Sequence, residues 1–160
     1  MFVLGGLMVR ADRPSFEWVF PLHLERLLPL VDQLYVRVDL PGAERVIPFL
    51  DDPKITWEYQ NEKPTHHHSE EIERQALLDR AFEVGADWMT VLDADEVLEA
   101  GAAEVLREFL EADPDYNGFR LPLTYSSHHR VGYVLDRAET DVSADRIFRL
   151  DEHMRGYRYK

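Results

Sequence analysis

Three acidic residues follow directly on an apolar run in the middle of the chain. The run Trp88–Leu92 is too short for a helix and is bounded by polar residues, so it predicts a buried strand. Residues two apart at a strand end point the same way, which lets Asp93 and Asp95 direct their carboxylates at one point. Two such groups repel each other unless a cation lies between them, and hard oxygen ligands suit Mg²⁺ or Mn²⁺. The motif Asp93–Glu96 therefore predicts a divalent-cation site at a strand end.

The composition describes a globular, acidic domain. The 160 residues fit a single domain, residues 1–160, and 45% of them are hydrophobic, which is enough for a core. The net charge of −13 argues against nucleic acid as a partner, because nucleic acid is held mainly by Lys and Arg. No apolar run reaches membrane-spanning length. The absence of cysteine excludes a disulfide framework and a thiolate metal site, and it fits a reducing compartment, so we expect a cytoplasmic protein.

Strands and helices alternate along the first two thirds of the chain. This order predicts a mainly parallel sheet with helices on its faces, whereas the strand-rich last third predicts antiparallel additions. Ligands of such sheets bind outside the carboxyl ends of the strands, where Asp39 and Asp93 fall. The predicted strands are 2–9, 33–39, 55–59, 88–93, 118–125, 131–135, 146–150 and 157–160, and the predicted helices are 15–28, 43–50, 69–84 and 102–110.

The Asp93–Glu96 motif and its surroundings resemble the D-x-D region of family 2 glycosyltransferases with the GT-A fold. Arg74 and Gln75 lie where those proteins often carry an Arg-Asn pair, and Phe119–Pro122 and Asp145–Leu150 resemble two of their later strands. The similarity covers most of the chain and is closest between residues 74 and 150. It implies an α/β protein with a GT-A-like, three-layer α/β/α sandwich, as in nucleotide-diphospho-sugar transferases, whose central sheet is mostly parallel.

The resemblance also implies an activity. It predicts a glycosyltransferase that moves a sugar from a nucleotide-diphosphate sugar donor, with inversion, to an acceptor that could be a glycan, a protein or a small molecule. A Mn²⁺ or Mg²⁺ ion would bridge carboxylate and phosphate oxygens and stabilise the leaving diphosphate. By the same analogy Asp93 and Asp95 form the metal site, with Asp95 the direct ligand and Asp93 contacting the ribose or a metal-bound water. Asp39 would contact the nucleoside, or would simply be an exposed acid at a strand end.

Three further residues are candidates for binding and catalysis. Arg10 follows the first strand and could approach the nucleotide from the same edge, or form an ordinary surface ion pair. Arg74 could bind phosphate through its planar guanidinium, or pair on the helix surface with Glu70 or Glu71. Asp145 is the predicted base for the acceptor hydroxyl, because it precedes the strand that resembles the family, although an acid there could equally belong to a solvated turn.

Two features leave other functions open. Many family 2 relatives complete the metal site with a histidine after the last strand, whereas this chain ends at Lys160 in a predicted strand. We expect either a domain truncated at its C-terminus or a minimal domain with an incomplete cation site, and the latter would suit a non-catalytic nucleotide- or glycan-binding module. The second alternative is a metal-dependent nucleotidyltransferase, although its glycine-rich phosphate loop is not evident, since Gly5 and Gly6 lie within the first strand. The triplet His66–His68 predicts a solvated loop, because consecutive side chains diverge.

Overall fold

The computed structural model describes residues 1–11, 16–60, 68–112, 115–122, 126–129, 132–135, 143–152 and 154–156. Within these ranges the chain alternates strands and helices before it becomes strand-rich, as the sequence predicts. The strands are β1 (Val3–Val9), β2 (Gln33–Val38), β3 (Ile55–Tyr59), β4 (Trp88–Val91), β5 (Gly118–Pro122), β6 (Ser126–His129), β7 (Gly132–Leu135) and β8 (Ser143–Arg149). The helices are α1 (Phe16–Leu27), α2 (Ala43–Val46), α3 (His68–Glu83) and α4 (Ala102–Glu111).

Six of the strands form one mixed sheet in the order β3-β2-β1-β4-β8-β5. The strands β3, β2, β1 and β4 run parallel to one another, whereas β8 runs antiparallel to both β4 and β5. The strands β6 and β7 pair separately as an antiparallel two-stranded sheet. This confirms the predicted α/β fold class, with a mostly parallel sheet and antiparallel additions in the last third.

The two faces of the sheet are covered by different helices. Alternate residues of β1 divide between them: Val3 and Leu7 pack in the core shared with α1, α2 and α4, and Leu4 packs in the core shared with α3. Strands covered on both faces carry nearly continuous apolar runs, which is why β1 and β4 have no polar alternation. The α/β/α layering is therefore encoded in the strands as well as in the helices.

Gly6 allows α3 to approach β1 closely. A Cβ atom at Gly6 would lie 2.9 Å from Met89 Cε and 3.3 Å from Leu77 Cδ1, and a Cβ at Gly5 would lie 2.7 Å from Leu34 Cδ1. Both positions therefore leave little room for a side chain between the strands and the layers that cover them. The glycine pair is explained by packing within the sheet.

A buried ion pair joins α3 to β2. Arg37 Nε donates to Glu73 Oε2 at 2.6 Å, and both side chains are almost fully buried. Glu58 on β3 also accepts from the guanidinium of Arg37 and from the Tyr35 hydroxyl. Such a pair fixes geometry more than it adds net stability, because burying two charges costs much of their attraction. The pair sets α3 over β2 and places the following residue, Arg74, near the carboxyl edge of the sheet.

Several element boundaries differ from the predicted ones. The predicted helix 43–50 is a short α-helix, Ala43–Val46, followed by a 3₁₀ turn, Ile47–Phe49, because Pro48 lacks the N–H that an α-helix would need there. The strand β4 ends two residues earlier than predicted and β8 begins three residues earlier, whereas β6 was not predicted. Predictions at residues 15, 61–67, 123–125 and 157–160 lie outside the described residues.

Across the ranges given above, no helix is long and apolar enough to span a membrane.

Candidate functional site

The candidate site lies at the edge of the sheet where β1, β2 and β4 end. The main-chain N–H of Asp39 donates to the carbonyl of Val9 at 2.9 Å, which aligns the ends of β1 and β2. On the other side of β1, β4 pairs in parallel, and Thr90 of β4 pairs with Ile147 of the antiparallel β8. The residues that follow β4 therefore meet the first half of β8 at this edge.

Asp93 and Glu96 close a tight turn immediately after β4. The N–H of Asp93 donates to Glu96 Oε2 at 2.9 Å, and the N–H of Glu96 donates to the Asp93 carbonyl at 2.9 Å. Asp95 lies within this turn and is exposed, whereas Asp93 and Glu96 are half-buried. The turn thus exposes the carboxylate of Asp95 and keeps that of Asp93 half-buried.

Two arginines from distant elements pair with the Asp93 carboxylate. Arg146 Nη2 on β8 lies 3.3 Å from Asp93 Oδ2 and also donates to Glu96 Oε1. Arg74 Nη2 on α3 lies 3.8 Å from Asp93 Oδ1. Arg74 and Asp93, which the sequence proposed separately, are therefore brought together. Arg146 was not among the proposed residues, although its place in the segment that resembles a family strand was a usable signal.

His23 supports the same turn from α1 and was also missed. Its ring is buried, stacks on Phe20 with 6.3 Å between centroids, and has Nδ1 2.6 Å from the Glu96 carbonyl oxygen. Because a carbonyl only accepts, Nδ1 carries the proton and Nε2 does not. Burial lowers the pKa of His23, against the opposing effects of the Glu96 carbonyl and of the Asp95 and Asp93 charges. The signal was its spacing on the apolar side of α1, three residues after Phe20.

Arg10 and Asp39 pair with each other across the ends of β1 and β2. Arg10 Nε lies 3.3 Å from Asp39 Oδ2, with Arg10 about half exposed and Asp39 less so. The two residues stand at the carboxyl edge that the sequence predicted for them. The contact is a surface ion pair, which was the alternative given for Arg10. A role for Arg10 and Asp39 in binding a nucleotide stays a prediction.

Asp145 lies within β8, not in a turn before it. It pairs with Arg120 of β5, whose Nε donates to Asp145 Oδ1 at 2.6 Å, and both side chains are largely exposed. Successive residues of a strand point to opposite faces, so Asp145 diverges from its neighbour Arg146, which reaches Asp93. The described contacts therefore join Asp145 to Arg120 and not to the Asp93–Glu96 turn, and its role as a base stays a prediction.

The donor atoms at the turn suit a divalent cation held jointly with a substrate. Among the residues whose side chains are described, no three His, Asp or Glu residues are grouped as a complete metal site. Mg²⁺ and Mn²⁺ are commonly bound through one or two carboxylates, with phosphate oxygens and water filling the remaining positions. Asp95 and Asp93 are the residues of the turn that could supply such oxygen donors, while Arg74 and Arg146 add positive charge beside Asp93.

A separate cleft lies at the opposite edge of the sheet. Its volume is about 530 Å³. Its lining comes from the start of β4, the end of β8, the end of α4 and the first residue of the chain: Met1, Asp87, Trp88, Leu110, Glu111, Arg149, Leu150 and Asp151. The cleft is thus at the amino ends of the parallel strands, away from the Asp93–Glu96 turn. Ligands of open α/β sheets usually bind at the carboxyl ends instead.

Comparison with known proteins relates the chain to others through its fold. No protein-family model matches the chain, and no curated protein matches it significantly. The solved structure of 4-diphosphocytidyl-2C-methyl-D-erythritol synthase from Anaerococcus prevotii is similar, with a TM-score of 0.56, 10% identity, and coverage of 92% of this chain and 70% of that one. A second synthase of the same name has a TM-score of 0.52 and 14% identity, covering 92% and 75%. A CMP:2-keto-3-deoxy-manno-octonic acid synthetase complexed with CTP has a TM-score of 0.52 and 14% identity, covering 93% and 74%.

These similarities define the class of fold. The chain has the GT-A-like, nucleotide-diphospho-sugar transferase fold, a mixed α/β sheet of six strands flanked by helices. Identities of 10% and 14% establish architecture and nothing about individual residues. The resemblance to family 2 glycosyltransferases is therefore supported in its fold, whereas membership of that family is not confirmed.

Proposed function

We propose that the Asp93–Glu96 turn binds the phosphates of a nucleotide together with a Mg²⁺ or Mn²⁺ ion, and that the protein is a transferase acting on that nucleotide. The observation that carries this proposal is the convergence of Arg74 and Arg146 on Asp93, next to the exposed carboxylate of Asp95. Carboxylates can hold a cation and a guanidinium can hold phosphate, so both requirements meet at one place. The fold supports the proposal, because nucleotide ligands bind outside the carboxyl ends of such sheets.

Different residues of the site would bind the ion, the phosphates and the nucleoside. Asp95 and Asp93 would hold a Mg²⁺ or Mn²⁺ ion, which supplies positive charge for the phosphate oxygens. Arg74 lies 3.8 Å from Asp93 and is partly exposed, which places its guanidinium within reach of a phosphate bound at the turn. Asp39 and Arg10 stand at the ends of β2 and β1, where a nucleoside would lie. Local cations matter here because the chain as a whole, with a net charge of −13, repels phosphate.

Nucleotidyl transfer is the reaction that the comparisons favour. The similar synthases and the CTP-bound synthetase are nucleotidyltransferases, which fits the metal-dependent nucleotidyltransferase better than the glycosyltransferase. In that reaction an acceptor oxygen attacks the α-phosphorus of the nucleoside triphosphate, the bond from the α-phosphorus to the bridging oxygen breaks, and pyrophosphate leaves. The positive charge beside Asp93 would stabilise the pyrophosphate.

Glycosyl transfer is the second candidate, and a specific observation favours it. No glycine occurs between Val9 and Phe16, where a glycine-rich phosphate loop would follow β1, and Gly5 and Gly6 are used for packing. The D-x-D motif after β4 fits an acceptor oxygen attacking the anomeric carbon of a nucleotide-diphosphate sugar while the bond to the β-phosphate oxygen breaks. The leaving nucleoside diphosphate would need the same stabilisation. Asp145 remains the candidate base for this reaction.

The binding step is tested by thermal unfolding with CTP and with UDP-glucose, each with and without Mn²⁺. We expect a rise in Tm that needs both nucleotide and Mn²⁺, because the two would bind together and only to the folded state. Asp95→Asn should remove the Mn²⁺-dependent part. Asp115→Asn is the matched control, because Asp115 also ends an Asp-x-Asp sequence but lies exposed in the segment before β5. An equal Mn²⁺-dependent rise in Tm in the unsubstituted protein and in Asp95→Asn would place the cation elsewhere and contradict the proposal.

The reaction is then identified by its product. Pyrophosphate released from CTP in the presence of a sugar phosphate or sugar acid indicates nucleotidyl transfer. Uridine diphosphate released from UDP-glucose indicates glycosyl transfer or donor hydrolysis. Mn²⁺-dependent binding without either product would favour the non-catalytic binding module over both enzymes.

A further inference from the structure

We infer that Glu96 and Arg146 are positioning residues that hold Asp93 and its turn in the geometry the cation requires. This inference rests on the proposed function, because it assigns no new ligand and explains how the same site is kept in shape. Neither residue touches the nucleotide in this assignment. Both act through Asp93.

Glu96 joins two separate elements of the fold, β8 and α1, to the turn. Its Oε2 accepts from the N–H of Asp93 at 2.9 Å, and its Oε1 accepts from Arg146 on β8. Its main-chain carbonyl accepts from His23 on α1 at 2.6 Å, and its N–H donates to the Asp93 carbonyl. Glu96 therefore uses its side chain and its main chain to fix the turn against β8 and α1. A residue whose only task was to start the next segment would need none of these contacts.

Arg146 is more deeply buried than Arg74 and lies closer to Asp93. The side chain of Arg146 is 11% exposed, and one nitrogen, Nη2, serves both Asp93 and Glu96. Its buried Nε has no hydrogen-bond partner among the described residues. The guanidinium therefore keeps this position even though one of its donors is unsatisfied. Arg74 is twice as exposed, at 23%, and contacts Asp93 at the longer distance of 3.8 Å. Arg146 is therefore the arginine better placed to hold the Asp93 carboxylate, whereas Arg74, the more exposed of the two, is the one assigned to phosphate.

Removing Arg146 should change the affinity for Mn²⁺ in opposite directions, depending on whether Arg146 positions Asp93 or is only a nearby charge. If Arg146 were only a nearby positive charge, its removal would strengthen binding of Mn²⁺, because like charges repel. If Arg146 positions Asp93, its removal weakens Mn²⁺ binding, since partners that orient metal-binding side chains contribute about 10- to 100-fold to metal affinity. The direction of the change therefore distinguishes the two roles.

The experiment measures the Mn²⁺ concentration that gives half of the CTP- or UDP-glucose-dependent rise in Tm. For Arg146→Met we expect this concentration to rise by about 10- to 100-fold. Arg146→Lys keeps the charge but loses the planar guanidinium, so it should fall between the protein and Arg146→Met. Arg26→Met is the control, because it makes the same charge change on α1, where Arg26 pairs with its neighbour Glu25 at 3.6 Å.

Each outcome decides the inference. A raised Mn²⁺ midpoint in the Arg146 variants with an unchanged midpoint in Arg26→Met supports it. A lower Tm with an unchanged or lowered Mn²⁺ midpoint would mean that Arg146 is merely structural, and would overturn it while leaving the proposed function standing. If Arg146→Met does not fold, Arg146→Lys decides alone, because charge repulsion predicts no change for it. If the unsubstituted protein shows no Mn²⁺-dependent response, the proposed function fails and the inference fails with it.

Discussion

Arg146 and Asp93 are 53 residues apart in sequence and 3.3 Å apart in the structure, between Nη2 and Oδ2. The contact joins the parallel half of the sheet, through the residues after β4, to the antiparallel strand β8. Because β8 lies between β4 and β5, the charge arrangement at Asp93 exists only when the last third of the chain has added its strands to the sheet. Folding and formation of the candidate site are therefore coupled.

Arg74→Gln should weaken nucleotide binding without much effect on stability. Arg74 is partly exposed, so its pairing with Asp93 contributes little to folding, whereas a charge-assisted hydrogen bond to phosphate is worth about 1.5–3 kcal/mol. We expect a rise of roughly tenfold or more in the Kd of CTP or UDP-glucose, measured by calorimetry at saturating Mn²⁺. Arg80→Gln is the control, since Arg80 is on the same helix but pairs with Glu83. An equal loss of affinity for the uncharged nucleoside would argue against a phosphate contact.

Glu73→Ala should be among the most destabilising substitutions on α3. It would remove the buried 2.6 Å partner of Arg37 and leave the half-exposed Glu58 to pair with the guanidinium. Breaking a buried pair from one side costs up to about 3–5 kcal/mol. Urea-induced unfolding measures the loss. The double variant Arg37→Met/Glu73→Leu should recover much of it, because both buried charges are then removed.

The control for that prediction is Glu17→Gln. Glu17 pairs with Arg45 at 3.2 Å but is largely exposed, so its loss should cost about 1 kcal/mol or less. If Glu73→Ala and Glu17→Gln had similar small effects, the Arg37–Glu73 contact would not be the joint between α3 and β2 that the structure indicates.

The sequence predicted the sheet well because its strands carry strong, local patterns. The apolar runs of β1 and β4 and the bounds of β3, Ile55–Tyr59, need no tertiary information. The same holds for the end of α3, where Gly85 has a φ of 70° and stops the helix in the left-handed region. The place of Asp93 at the carboxyl edge followed from the α/β order alone.

The contacts within the site could not be predicted in the same way. Glu73 and Arg74 are adjacent acidic and basic residues near the start of one helix, and only the packing of α3 on β2 buries the first and turns the second toward Asp93. Likewise the roles of His23 and Arg146 depend on α1 and β8 meeting the turn after β4, which are long-range events. A single sequence shows which residues are available, and the tertiary fold decides their partners.

Gly6→Ala should lower stability and leave nucleotide affinity unchanged. The added Cβ would lie 2.9 Å from Met89 Cε and 3.4 Å from Leu77 Cβ, so side chains of β4 and α3 must shift, at a cost of about 1–3 kcal/mol. Thermal unfolding measures the first effect, and the Kd of CTP at saturating Mn²⁺ measures the second. A folded Gly6→Ala with strongly weakened CTP binding would contradict the packing role and point to a phosphate contact at the glycine pair.

The pH dependence of stability should carry a contribution from His23. Burial lowers its pKa in the folded protein below the 6.5 of an exposed histidine, so the unfolded state takes up the proton first as the pH falls. The stabilising effect of keeping His23 neutral is complete above pH 6.5 and declines as the pH falls from about 6.5 to the lower folded-state pKa, by at most about 1.4 kcal/mol per pH unit. The free energy of unfolding, measured by urea denaturation between pH 7.5 and 5, should therefore fall more steeply in the protein than in His23→Gln. Parallel pH profiles for the two proteins would show that His23 titrates alike in both states, and that its burial against the Glu96 carbonyl does not hold it neutral.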